Sequence, residues 1–162
     1  MREILFRGKW RDNGEWAVGS LVNAIDMIDD KQRTYIIEEA QYAGYGEFAY
    51  VSDVDPETIG QYTGLTDKNG KKIFEGDIVD LECDPDLNEL WVFDFGNCGG
   101  VQNVAHDVGY MGFCLRPLSD NAIKERDYGQ RDDPVYYLNA LRLHIVGNIH
   151  DNPELLGGAE DG

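Results

Sequence analysis

Short alternations of apolar and polar residues, cut by glycine and asparagine, organise this chain. Ile4 and Phe6 alternate with Leu5 and Arg7, and near the other end Leu141, Leu143 and Ile145 alternate with Arg142 and His144. That period of two is the signature of a half-buried strand. Residues 3–10 and 15–22 flank Arg11-Asp12-Asn13-Gly14, whose Asn-Gly pair predicts a hairpin. Asp67-Lys68-Asn69-Gly70 repeats the signal, and predicts a type I′ turn with positive φ at both central residues. Residues 26–31 read as an acidic loop. Residues 33–38, with Thr34, Tyr35, Ile36 and Ile37, read as a strand, and 42–50 as a loop leading into another.

Asp53-Val54-Asp55-Pro56-Glu57 is the best internal boundary, because Pro56 pushes Asp55 away from helical angles and removes a backbone donor. A single helical turn is expected at Pro56. Beyond it, strands are expected at 73–82, 90–95, 100–106 and 112–117, with turns at Asp84-Pro85-Asp86 and Gly96-Asn97. Such short, evenly spaced strands suit a small SH3-like barrel closed by the strand at 141–149. Ser119 is a candidate N-cap for a brief helix over 119–126, and 128–134 reads as a charged, mobile stretch. Asp151-Asn152-Pro153 offers a cap and a first-turn proline. The expected fold is mostly β, with one or two short helices. It comprises a hairpin-rich N-terminal lobe (1–55), a barrel-like lobe (56–156) and a flexible acidic tail (157–162).

Three blocks of the chain carry a resemblance. The opening Arg2-Glu3-Ile4-Leu5-Phe6-Arg7-Gly8-Lys9-Trp10, the central TIGQYTGLTDKNGKKIFEGDIV of residues 58–79, and the closing Val146-Gly147-Asn148-Ile149-His150-Asp151-Asn152-Pro153-Glu154-Leu155-Leu156 resemble, in this order, the YopX family of phage and prophage proteins. The likeness brackets residues 2–156, with 25–50 and 83–135 contributing little beyond pattern. It implies a mostly β fold, self-association and a phage origin. It implies no biochemical activity and brings no catalytic residues to carry over.

The composition is that of a globular domain: 42% hydrophobic residues, with six Phe, three Trp and nine Tyr among 162 residues. Its charge is less ordinary, since 31 acidic against 14 basic side chains leave −17. Affinity for DNA or RNA comes largely from Lys and Arg displacing counterions, so direct nucleic-acid binding is disfavoured. The same field attracts basic partners or imitates a phosphate backbone. Three cysteines, Cys83, Cys98 and Cys114, make an odd set, which predicts reduced thiols. No apolar signal core follows Met1-Arg2-Glu3, and no run reaches membrane-spanning length. The expected location is the cytoplasm of a bacterial host, with no membrane partner.

Candidate chemistry fails one site at a time. Asp84-Pro85-Asp86-Leu87-Asn88 starts like an EF-hand loop, but Glu89 stands where glycine is needed and Phe95 where a bidentate glutamate is needed. Gly44-Tyr45-Gly46-Glu47-Phe48-Ala49 has dinucleotide-fingerprint spacing, yet a strand pattern and Pro56 follow in place of a helix. The cysteines and His106 lack the close pairing of zinc ligands, and His144 and His150 read as a solvated face residue and a turn residue. Cys98, in Gly96-Asn97-Cys98-Gly99-Gly100, with His106 makes a conceivable nucleophile pair, but no helix start lowers its pKa and no third residue orients it. The expectation is therefore no catalytic, cofactor-binding or metal-binding residues and no cofactor. Tyr35, Tyr42, Tyr45, Phe48 and Tyr50 crowd one segment and predict a subunit contact. These features point to a non-enzymatic phage accessory protein that self-associates and binds a host or phage protein. The alternative is an acidic nucleic-acid mimic that inhibits a host DNA-binding protein, and a third reading is a hydrolase whose turnover depends on Cys98, His106 or a carboxylate.

Overall fold

The computed structural model describes residues 3–43, 46–81, 90–98, 110–118 and 143–156, giving the backbone alone for 39–43, 46–49, 81, 97–98, 110 and 117. The chain forms two units, Met1–Gly64 and Leu65–Gly162. Strands dominate the described residues of both, and the only helical segments among those residues are two three-residue 3₁₀ turns. The mostly β expectation is borne out.

In the first unit β1 (Phe6–Lys9), β2 (Trp16–Ile25), β3 (Gln32–Ala43), β4 (Gly46–Asp53) and β5 (Gly60–Thr66) lie in the order β4-β3-β2-β1-β5. The alternation in β2 decides what goes inside. Ala17 and Gly19 are buried and Leu21 is half-buried, while Val18, Ser20 and Val22 face outward. Ala17 joins Ile36 and Val54 in a small core, flanked by Trp10, Leu21 and Ile59. Gly19 permits a close crossing, since a Cβ there would overlap the Ile37 carbonyl at the bulge between Ile37 and Glu39. The helical turn expected at Pro56 is present as Pro56–Thr58. Asp55 Oδ1 accepts from the Glu57 amide at 3.1 Å, and Thr58 Oγ1 accepts from the Lys9 amide at 2.8 Å, which ties the turn to β1.

In the second unit β6 (Lys72–Phe74) lies beside β5, whose last residues run past Gly64. A four-stranded antiparallel sheet follows, in the order β10-β7-β8-β9, from β7 (Asp77–Leu81), β8 (Leu90–Cys98), β9 (Tyr110–Pro117) and β10 (Leu143–Asn148). Ile73, Val79, Trp91, Phe93 and Leu143 form its core, with Leu65, Leu115 and Ile145 packed against them. The alternation read over 141–145 thus buries Leu143 as expected.

Five local expectations need correction. The described residues of the stretch read as a loop from 42 are instead strand, in β3 and β4, with Tyr42 opposite Glu47 and Gln41 opposite Phe48, because the two strands pair almost to their ends. The strand read over 73–82 is two strands, because Gly76 at φ 81° turns the chain between them. Gly96-Asn97 is no turn but part of β8, opposite Gly112 and Met111. Asn69 does not adopt positive φ; Gly70 alone does in this loop. The Asp67 amide donates to Lys71 O at 2.8 Å and the Gly70 amide to Asp67 O at 2.9 Å, so the loop is a type I turn closed by a left-handed glycine. Finally, Asn152 does not cap Pro153–Leu155 with its side chain, because its Oδ1 accepts from the Asn148 amide at 3.3 Å. The strand at 100–106, the turn at 84–86, the helix at 119–126, the stretch at 128–134 and the tail at 157–162 fall outside the described residues.

Candidate interaction surface

Two hairpin loops of the first unit share one backbone pattern. In the β1–β2 loop the Trp10 amide donates to Glu15 O at 2.9 Å, the Gly14 amide donates to Trp10 O at 3.0 Å, and Gly14 sits at φ 73°. In the β2–β3 loop the Asp26 amide donates to Lys31 O at 2.8 Å, the Asp30 amide to Asp26 O at 2.9 Å, and Asp30 sits at φ 55°. Aspartate tolerates that left-handed conformation better than most residues.

The side chains at the tips differ. The first loop places Arg11 and Asp12 where the second places Met27 and Ile28, and these last are 94% and 95% exposed. Ile25, at the end of β2, is 67% exposed. Polar groups hold the apolar tip in place from below. Asp26 Oδ1 accepts from the Ile28 amide at 2.8 Å, and Asp29 Oδ1 from the Lys31 amide at 3.2 Å. Arg33 pairs with Asp26, with Asp29 at 2.7 Å, and through Nε with Asp53 at 3.7 Å. Asp53 also receives Arg11 Nε at 3.2 Å. Sequence reading marks 26–31 only as an acidic loop; the missed signal is a pair of adjacent apolar residues at loop positions where polar ones are the norm.

Elsewhere on this unit the outward face of β1 and β2 is partly apolar. Trp16 lies between Arg7, 4.6 Å from the ring centroid, and Lys9 at 5.5 Å. Val18 and Val22 stand half-exposed beside it. β4 ends the sheet order, and Tyr50 and Val51 are 67% and 51% exposed. In the second unit Phe95 packs edge-to-face on Phe113, centroids 5.2 Å apart, where the core face of β8 and β9 runs out into solvent beside exposed Met111.

The candidate chemistry is not assembled by the described residues. Gly46–Ala49 of the dinucleotide-like motif belongs to β4, paired antiparallel with β3, so no helix begins there; Gly44 and Tyr45 lie outside the described residues. Cys98 ends β8 opposite Tyr110, a ladder position, and Gly99 and Gly100 lie outside the described residues. His106, Cys83 and the Asp84–Glu89 stretch lie outside the described residues. His144 sits in β10 opposite Asp80, and the His150 amide donates to Asn148 Oδ1 at 3.0 Å. Among the described residues no three His, Cys, Asp or Glu side chains gather as metal ligands. Cys114 is disulfide-bonded, which corrects the expectation of reduced thiols, its partner lying outside the described side chains. An odd count of three still permits one bridge, so parity alone was a weak guide.

The YopX protein family profile matches residues 5–157. The chain belongs to the YopX family. Among solved structures, the crystal structure of protein EF1440 from Enterococcus faecalis aligns with 96% of this chain and 99% of its own, at 21% identity and a TM-score of 0.48. No curated protein matches. The blocks that carry the YopX resemblance do structural work. Asp67, 4% exposed, accepts from the amides of Asn69 at 2.8 Å and Lys71 at 2.9 Å. Burial alone would raise its pKa, but the amides of Lys71, Asn69 and Ile145 and the Asn69 side chain together hold it below the ordinary value. Asp77, 1% exposed, accepts from the Phe74 amide at 2.8 Å and so fixes the bend at Gly76. In the closing block Asn148 Oδ1 accepts from the amides of His150 and Asp151, and a Cβ at Gly147 would overlap the Asn152 side chain. The central and closing blocks each use short polar side chains to close a turn.

Proposed function

We propose that this YopX protein is a non-enzymatic phage or prophage accessory protein of the bacterial cytoplasm that self-associates and binds a protein of the phage or its host. The observation that carries this reading is the placement of several exposed apolar groups on edge strands, Tyr50 and Val51 on β4 and Met111 on β9, and at a loop tip, Met27 and Ile28, positions suited to contact with another chain. Self-association is best served by β4. This eight-residue edge strand contains neither lysine nor proline, the residues that commonly blunt a free edge, and it displays Tyr50 and Val51. Main-chain hydrogen bonds between two such edges tolerate the repulsion that a charge of −17 brings. Family membership and the turn-building role of the family's blocks further support a binding protein, and no helix among the described residues is long and apolar enough to cross a membrane.

Light scattering on the purified protein at micromolar concentration tests self-association, with a dimer or larger expected and a monomer contradicting it. Affinity capture from host lysate at low and high salt tests for a second protein. A partner released steeply by salt and competed by DNA would favour nucleic-acid mimicry instead. Substrate turnover abolished by Cys98→Ser would overturn the non-enzymatic reading.

A further inference from the structure

We infer that the β2–β3 hairpin tip is the partner-binding anchor, with Met27 and Ile28 entering an apolar pocket on another protein whose rim carries lysine or arginine. This rests on the protein-binding reading above and assigns that reading a site. Three observations carry it.

The first is exposure without structural need. The β1–β2 loop closes with the same pair of backbone hydrogen bonds and the same left-handed fourth residue while carrying Arg11 and Asp12. The backbone therefore does not require apolar side chains at those two positions, and at 94% and 95% exposure Met27 and Ile28 contribute nothing to a core.

The second is preorganisation. The tip is braced by the Asp26 and Asp29 carboxylates accepting amides of their own loop, and by Arg33 spanning Asp26, Asp29 and Asp53. A braced loop loses little conformational freedom when it binds, so more of the apolar burial appears as affinity.

The third is charge. Asp26, Asp29 and Asp30 outnumber Lys31 and Arg33 around the tip, on a chain of net −17. That field disfavours an anionic membrane and disfavours a pocket on a second, equally acidic copy, whereas it draws in a basic rim. Methionine beside isoleucine supplies one adaptable and one rigid apolar side chain, a combination suited to filling a pocket.

The test places one photo-cross-linking side chain at Ile28 or, as a matched control, at Asp12 of the other loop. Each full-length protein is exposed to host lysate, to anionic vesicles and to unlabelled copies of itself. Expected is a protein adduct from position 28 and not from position 12, with the linked peptide bearing lysine or arginine beside apolar residues. The identified partner, purified, should then bind the Met27→Ser/Ile28→Ser variant at least tenfold more weakly than the unsubstituted protein. Vesicle or self adducts at position 28, equal labelling from both positions, or undiminished binding by the variant would overturn the assignment. If one of those results is seen while affinity capture with the unsubstituted protein still retrieves a protein partner, the assignment fails and the protein-binding reading stands; if no partner is captured at all, both fail.

Discussion

The two hairpin loops that flank β2 share a backbone and differ in what they show to solvent. The first is polar throughout and held by Asn13, whose Oδ1 accepts from the Glu15 amide and whose Nδ2 donates to Glu15 Oε2, both at 2.9 Å. The second spends its polar side chains underneath, on Arg33, and leaves two apolar ones on top. A loop that only had to reverse the chain could have used the first solution twice. The difference teaches that hydrogen-bond geometry accounts for both turns, and that the apolar tip calls for a reason outside the fold.

The loop at Asp67 extends the comparison, since its brace is buried where the other two are exposed. Asp67→Ala should have the largest effect, about 2 kcal/mol in chemical denaturation, because it strips an acceptor from the amides of Asn69, Lys71 and Ile145. The same carboxylate sets a pH dependence. Its folded pKa lies below the ordinary 3.8, so its contribution is fully present above that value and is lost as pH falls through the folded value. Acid titration of stability should therefore show a shallower loss below pH 4 in Asp67→Asn than in the unsubstituted protein.

Next in size, Arg33→Ala should cost about 1 kcal/mol, since it leaves Asp26, Asp29 and Asp53 close together without their shared cation. Arg11→Ala, which removes a single exposed pair with Asp53, should cost no more than about 0.5 kcal/mol. Equal losses from the two arginines would break the claim that the second loop is the more heavily braced. Exchange of the left-handed residues probes the shared backbone: in chemical denaturation Gly14→Asp should lower stability and Asp30→Gly should raise it, by roughly 0.5 kcal/mol each. Smallest of all, Met27→Ser/Ile28→Ser should leave stability within about 0.5 kcal/mol, as befits side chains that bury almost nothing.

Much of this scaffold is legible in the sequence. Asn13-Gly14 and Asn69-Gly70 mark hairpins, Pro56 marks a helical turn, and the alternation around Leu143 marks a core strand, because each depends on local backbone preference or a period of two. The turn type at Asn69-Gly70 is not legible. An Asn-Gly pair suits a type I′ turn and also a type I turn with a left-handed glycine, and what decides is the Asp67 carboxylate reaching forward to the Asn69 and Lys71 amides. The split at Gly76 is hidden for the same reason, since Ile73-Phe74 and Ile78-Val79 read as one strand until the side chain of Asp77 is seen to bind back to Phe74. The interaction surface is the least legible part. Met27 and Ile28 look like stray apolar residues in an acidic loop until Arg33, several residues later, is found paired with the Asp26 and Asp29 that flank them.

The most direct test exchanges the two tips within one molecule. Met27→Arg/Ile28→Asp combined with Arg11→Met/Asp12→Ile keeps composition and net charge constant and moves only the apolar pair from one loop to the other. The account predicts that this fourfold variant folds and binds the partner identified at position 28 at least tenfold more weakly. Undiminished binding would show that bulk charge or composition, and not the braced tip, makes the contact.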